Sequence, residues 1–217
     1  MKNLIFALTV FFFLTGARAW AADKPFNSAD LKDPSLCKYT SRIEHDGHAD
    51  GNPRLFEDVQ NIYINFLNYR TSSQYIEAFP ILSSDNLALL AACALEKQLG
   101  GGAPPSRRKS TIPIYIPEHR YGYIPEESYS NDGDLLIRLG LAIINGNDFY
   151  DGLFSGKIIT ISAEYYRHDV HLIENLNFNC STAFPYTDDK ELLQKLLTSA
   201  ITGCVNRPYF WMKGIKE

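Results

Sequence analysis

Four cysteines constrain this chain more than any other feature. Cys37, Cys93, Cys180 and Cys204 are spread over most of its 217 residues, so any pairing ties distant segments together. Whether they pair depends on the compartment, and the N-terminus bears on that. "MKNLIFALTVFFFLTGARAWA" sets Lys2 ahead of an apolar run from Leu4 to Leu14, followed by small residues. That order is the pattern of a secretory signal peptide. The run is shorter than the roughly 20 residues a bilayer-spanning helix needs. Residues 1–21 are therefore expected to be a leader removed after Ala21, with Ala19 as the other candidate point. Residues 22–217 are expected to form a single mature domain, periplasmic or extracellular, with no stable membrane insertion. In an oxidising compartment an even number of cysteines reads as disulfides. No C-x-x-C pair suggests a metal site. Of the three pairings four cysteines allow, the expected one joins Cys180 to Cys204, closing a short loop ahead of a predicted helix, and Cys37 to Cys93.

Losing the leader removes Lys2 and Arg18 and no acid, which moves the formal charge from -4 to -6. Nucleic-acid binding rests on cationic contacts to phosphate, so an acidic chain argues against it. A basic partner protein suits the charge better.

Hydrophobic periodicity predicts a mainly α (α+β) fold. Leu55, Phe56, Val59, Ile62, Tyr63, Phe66 and Leu67 recur at three-and-four spacing, the mark of an amphipathic helix. A second helix is expected over 85–99, with Ser84 or Asp85 as cap and Gly100 past its end. A third is expected over 134–145, apolar on most sides and hence central. A fourth is expected over 188–204, with Asp188 and Glu191 at capping-box spacing. About four helices would thus pack around a central apolar helix. "TIPIYI" and "KIITISAEYY" alternate and read as a small β element, with Pro113 confining the first to an edge. "GGGAPPSRRKS" reads as a flexible Gly/Pro-rich loop at 100–110.

Several motifs carry candidate chemistry. In "DGHADGNPRLFE", Asp46, His48, Asp50, Gly51 and Glu57 fall at positions 1, 3, 5, 6 and 12 of a calcium-binding EF-hand loop. Asp46, Asp50 and Glu57 would be the oxygen ligands. Against this, Asn52 followed by Pro53 is a helix-start pair, cap then first helical residue. A helix from Pro53 would carry Glu57 onto its second turn, so the stretch reads better as a helix start. His45 with His48, and His168 with His171, are spaced H-x-x-H and would suit zinc only if the pairs met in space. "SRRK" (106–109) and "SDN" (84–86) resemble serine-hydrolase elements, but their order is reversed and no K-T-G follows. No G-x-S-x-G, carboxylate pair or phosphate-cradling glycine motif stands out, so no catalytic residue and no cofactor are assigned.

One unit repeats. "YIPEHRYG" at 115–122 is followed directly by "YIPEESYS" at 123–130. Tyr115, Tyr121, Tyr123 and Tyr129 fall at matching places. Proline fixes the backbone, and tyrosine gives large contact area at low entropic cost, which are properties of recognition loops. The tail adds Tyr209, Phe210, Trp211 and Met212, read as closing the core. The expectation is an exported, disulfide-stabilised binding protein, of the inhibitor or immunity type, acting by protein–protein contact through the tyrosine-rich stretch. A calcium- or zinc-binding module and a hydrolase without a local motif, using for example His168 and Asp169, are the alternatives.

Overall fold

The segment "DLLIRLGLAIIN", expected to be a central helix, is instead the central strand of a sheet. In a computed structural model, which describes residues 24–41, 59–100, 112–117, 133–146, 156–167 and 178–213, five strands form one mixed sheet in the order β2-β1-β3-β4-β5. They are β1 (Asn61–Arg70), β2 (Ile114–Tyr115), β3 (Asp134–Asn145), β4 (Lys157–Arg167) and β5 (Phe178–Pro185). Three α-helices accompany them among the described residues: α1 (Ser73–Ala78), α2 (Ser84–Gly100) and α3 (Lys190–Lys213). β1 runs parallel to β2 and β3, while β3–β4 and β4–β5 are antiparallel. The expectation of a mainly α fold with four helices is therefore corrected. The chain builds two layers, with α2 and α3 side by side on one face of the sheet.

The corrections have physical causes. Leu135, Leu136, Ile137, Leu139 and Leu141 of β3 are all fully buried, on both faces of the sheet. A strand covered on both faces shows no polar side, so its apolar run looks the same as a buried helix. Gly140 in its middle would cost a helix about 1 kcal/mol. In β1, Ile62 and Phe66 satisfy helical and strand spacing alike. Ile64 decides: it lies off the helical stripe, yet Ile62, Ile64 and Phe66 all enter the core while Tyr63 and Asn65 point the other way.

The second and fourth expected helices are present with shifted caps and ends: α2 includes Gly100, and α3 runs on to Lys213 rather than stopping at 204. α2 starts one residue early, capped by Ser83, whose Oγ accepts from the Asn86 N–H at 3.3 Å. α3 starts at Lys190, capped by Asp189, whose Oδ1 accepts from the N–H groups of Glu191 and Leu192 at 3.0 and 3.1 Å. β4 is a strand, and β2 is a two-residue edge strand just after Pro113. β5 was not expected, although Phe178, Cys180, Thr182 and Phe184 alternate with Asn179, Ser181 and Ala183. Leu87, Leu90 and Ala91 of α2 and Leu193, Leu197 and Ile201 of α3 fill the space above the sheet, all fully buried. Full burial of each leucine or isoleucine contributes about 1.5–3 kcal/mol. Gly133, with φ of 87°, makes the turn into β3 in a conformation that favours glycine.

Residues 24–41 strap the helix layer. The Phe26 N–H donates to the Ile114 carbonyl at 2.7 Å, on the outer side of β2. Leu36 enters the core. Cys37 is bonded to Cys93 of α2, and Cys180 of β5 to Cys204 of α3, with Cα–Cα distances of 5.6 and 5.5 Å. Both pairings are those expected. The Tyr39 hydroxyl donates to the Glu191 carboxylate, and Lys38 lies 3.4 Å from the same group. That hydroxyl, and then Lys38, hold the Glu191 carboxyl below its ordinary value.

A second tie joins β4 to α3. Pro208 lies within α3 and has no N–H, so the Cys204 carbonyl lacks its i+4 donor. The fully buried Tyr165 of β4 donates its hydroxyl to that carbonyl. One residue of α3 is thus held by β5 through sulfur and by β4 through oxygen.

Two predictions follow from these ties. Replacing both cysteines of either bridge by alanine is expected to cost about 2–4 kcal/mol. Loop entropy makes the loss about 0.7 kcal/mol larger at Cys37–Cys93, whose sequence separation is 56 against 24. Urea midpoints measure both, and a reversed order would show that loop length does not govern the difference. Tyr165→Phe should cost about 1–3 kcal/mol by leaving the buried Cys204 carbonyl without its donor; a change below experimental error would remove that role.

Candidate functional site

The face of the sheet turned away from α2 and α3 carries no described helix. Its side chains come from alternate positions of each strand, since a strand sends successive residues to opposite faces. Cα pairing aligns Tyr115 with Tyr63, Tyr63 with Leu136, and Leu136 with Tyr166. These four residues make one straight row across β2, β1, β3 and β4. Tyr63 and Tyr115 are stacked, with ring centroids 5.3 Å apart and planes at 22°. Leu136 is fully buried, with Tyr63 and Tyr166 packed against it. All three tyrosines are half-buried.

The neighbouring row is polar. Asn65, Arg138 and Glu164 are in register on β1, β3 and β4. The Arg138 guanidinium lies 4.7 Å from the centre of the Tyr166 ring and 3.7 Å from the Glu164 carboxylate. The Tyr166 hydroxyl donates to the same carboxylate at 2.6 Å. Arg138 is thus held in plane by an acid and a ring at once, with its side chain 17% exposed. On the other side of the tyrosine row, Asn61 Nδ2 donates to the buried Asp134 carboxylate at 2.7 Å. Aromatic faces, one guanidinium and two carboxylates, fixed by contacts with their neighbours, suit recognition. Tyrosine and arginine are the residue types enriched where interfaces concentrate their energy.

A second feature opens at the far edge of the sheet. A cleft of about 350 Å³ separates β5 from α3, lined among others by Ser181, Thr182, Phe184, Leu196, Ala200 and Gly203, with the Cys180–Cys204 bridge at its wall.

Of the residues expected to contact a partner, Tyr115 sits in the tyrosine row. Tyr121, Tyr123 and Tyr129 lie outside the described residues. So do the leader at 1–21, the metal candidates Asp46, Asp50 and Glu57 with His48 and Gly51, the other histidine pairs, the loop at 100–110 save Gly100, and the tail side chains from Tyr209 to Met212. Among the described residues no group of three or more His, Cys, Asp or Glu could hold a metal ion. The "SDN" residues form the first turn of α2, where Asn86 Nδ2 donates to the Pro80 carbonyl at 2.8 Å. Among the described residues no helix is long and apolar enough to cross a membrane. Tyr63, Arg138, Glu164 and Tyr166 were missed as site residues. Reading β1 and β3 as helices hid the alternation that puts them on one face.

Comparison with protein families, with curated proteins and with solved structures found no match.

The Arg138–Tyr166 contact can be weighed directly. A double-mutant cycle with Arg138→Ala and Tyr166→Leu, read by urea unfolding, is expected to give a coupling of about 0.5–2 kcal/mol. Glu164→Gln should cost about 1 kcal/mol, since the amide oxygen can still accept from the Tyr166 hydroxyl and only a 3.7 Å ion pair is lost. A coupling near zero would mean that the ring and the guanidinium are merely adjacent.

Proposed function

We propose that this chain is an exported, disulfide-stabilised binding protein that engages another protein through the face of its sheet that carries no described helix. The observation that carries the reading is the in-register row Tyr115–Tyr63–Leu136–Tyr166 beside Arg138. Stacking and ion pairing hold these side chains before any partner arrives, so little rotamer entropy is left to lose on binding. Export is supported by the leader pattern at 1–21 and by two bonded cysteine pairs. A basic partner surface would complement the acidic chain and speed encounter. Blocking an enzyme or toxin is the form of action this reading favours, because contact alone accomplishes it.

Two measurements test it. N-terminal sequencing of the exported protein is expected to begin at Ala22; cytoplasmic protein retaining residues 1–21 would overturn the location. For the face, a photoreactive residue at Tyr115 is compared with one at Lys195 on α3, in cells expressing the protein. The protein captured from Tyr115 alone is then purified and titrated. Tyr63→Ala or Tyr166→Ala should weaken its binding at least ~10-fold, a loss of about 1.4 kcal/mol. Unchanged affinity in both variants would remove this face from the function.

A further inference from the structure

We infer that β5 is a pairing edge for a second copy of this chain, with α3 packing against its symmetry mate across the cleft. The two edges of the sheet are treated differently. β2 has two residues, follows Pro113, and has the Ile114 carbonyl taken by the strap. β5 has eight residues, none of them charged, with Ser181, Ala183 and Pro185 exposed. Among the described residues no strand pairs with its outer side, and long neutral edges without lysine are templates for another strand.

The hydrogen-bond pattern selects the occupant. The Tyr186 N–H donates to the Lys157 carbonyl at 2.7 Å, and the register runs back from there. Antiparallel alternation then turns the main chains of Phe184, Thr182 and Cys180 toward β4, and those of Ala183, Ser181 and Asn179 outward. A two-fold axis through Ser181 opposes Ser181 to itself, and Asn179 to Ala183 of the second copy. Every outward N–H between 179 and 183 then meets a carbonyl, and Pro185, which has no N–H to give, falls outside the ladder. The segment is therefore complementary to itself in one register.

The same axis brings the α3 helices together. The Cys180–Cys204 bridge places Gly203 beside the strand position next to the axis. Gly203 and Ser199 are exposed, and a Cβ added at Gly203 would meet nothing within 4 Å. Leu192, on the same side of α3, is 44% exposed, the large apolar side chain that stands open among the described residues. Eight strand residues span about 27 Å, and the sheet and helix layers, each about 10 Å thick, together offer roughly 500 Å² per copy. Two copies together reach the ~1,000 Å² expected of a specific interface. An uncharged strip also lets two acidic chains meet without direct repulsion.

The test uses the oxidised, exported chain. Light scattering on a size-exclusion column at about 100 μM, where a micromolar interface is filled, is expected to give a dimer mass. Gly203→Arg and Ala183→Lys, both at exposed positions, should each return the monomer mass with unchanged circular dichroism and melting. In the wild type, the amides of Asn179, Ser181 and Ala183 should exchange more slowly as concentration rises. Monomer mass throughout, or a dimer that survives both substitutions with those amides unprotected, would overturn the proposal. The tyrosine row lies on a different surface, so photocrosslinking from Tyr115 should be unchanged in Gly203→Arg and the two ideas fail separately.

Discussion

β3 sets the register on which both layers of this protein depend. It pairs in parallel with β1 on one side and antiparallel with β4 on the other, and it is buried on both faces. Its side-chain sizes fix part of it: slipped by one residue, Gly140 and Ala142 would take the core places of Leu139 and Leu141 and leave cavities. Arg138, the one charged residue from Leu135 to Ile144, adds a larger penalty. A slip would drive its guanidinium into the helix-side core, away from Glu164 and the Tyr166 ring, and an unpaired buried charge is among the most costly defects a fold can carry. The ion pair contributes little to stability by itself. Its larger effect is to exclude the alternative register.

The helix layer is held by different means. α2 and α3 share a leucine-rich contact with the sheet, which is strong but not directional. Direction comes from ties along their length. Cys93 fixes the strap to α2, and Cys204 fixes α3 to the edge strand. Pro208 would ordinarily weaken a helix by removing a donor and crowding the preceding turn. Here the orphaned carbonyl belongs to the residue that is crosslinked, and Tyr165 answers it from β4. Apolar burial thus holds the layers together while sulfur and a single hydroxyl orient them.

How much of this could be read from the residues alone follows from the same physics. The cysteine pairing was legible because the two bridges close separate loops. α2 and α3 were legible because each has one buried stripe and a serine or aspartate cap close to the expected place. β1 and β3 were not. Ile62 and Phe66 fit both periods, and β3 lacks any period because it is central. The consequence reached the site. Tyr115 was picked out from a local repeat, but its partners Tyr63 and Tyr166 come from strands 50 or so residues away in either direction, a juxtaposition that only the sheet order creates. α3 carried a further clue. Leu193, Leu197 and Ile201 are fully buried, while Leu192 is 44% exposed and Leu196 and Ala200 line the cleft beside β5. A helix with more apolar width than its own core consumes has surface left for something else.

That surplus bears on how the two surfaces relate. Edge pairing about an axis normal to the sheet would keep both helix layers on one side and both tyrosine rows on the other. The dimer would then present two copies of the row on the same side of the joined sheet, the side without a described helix. The register of β3 is what makes this arrangement self-consistent. The alternation that keeps Arg138 out of the core sends Tyr63 and Tyr166 to the same face. Through β4, it also sets which main-chain groups of β5 point outward. Recognition and self-association would therefore occupy separate surfaces yet answer to one structural determinant, the register of β3, which keeps Arg138, Gly140 and Ala142 out of the helix-side core.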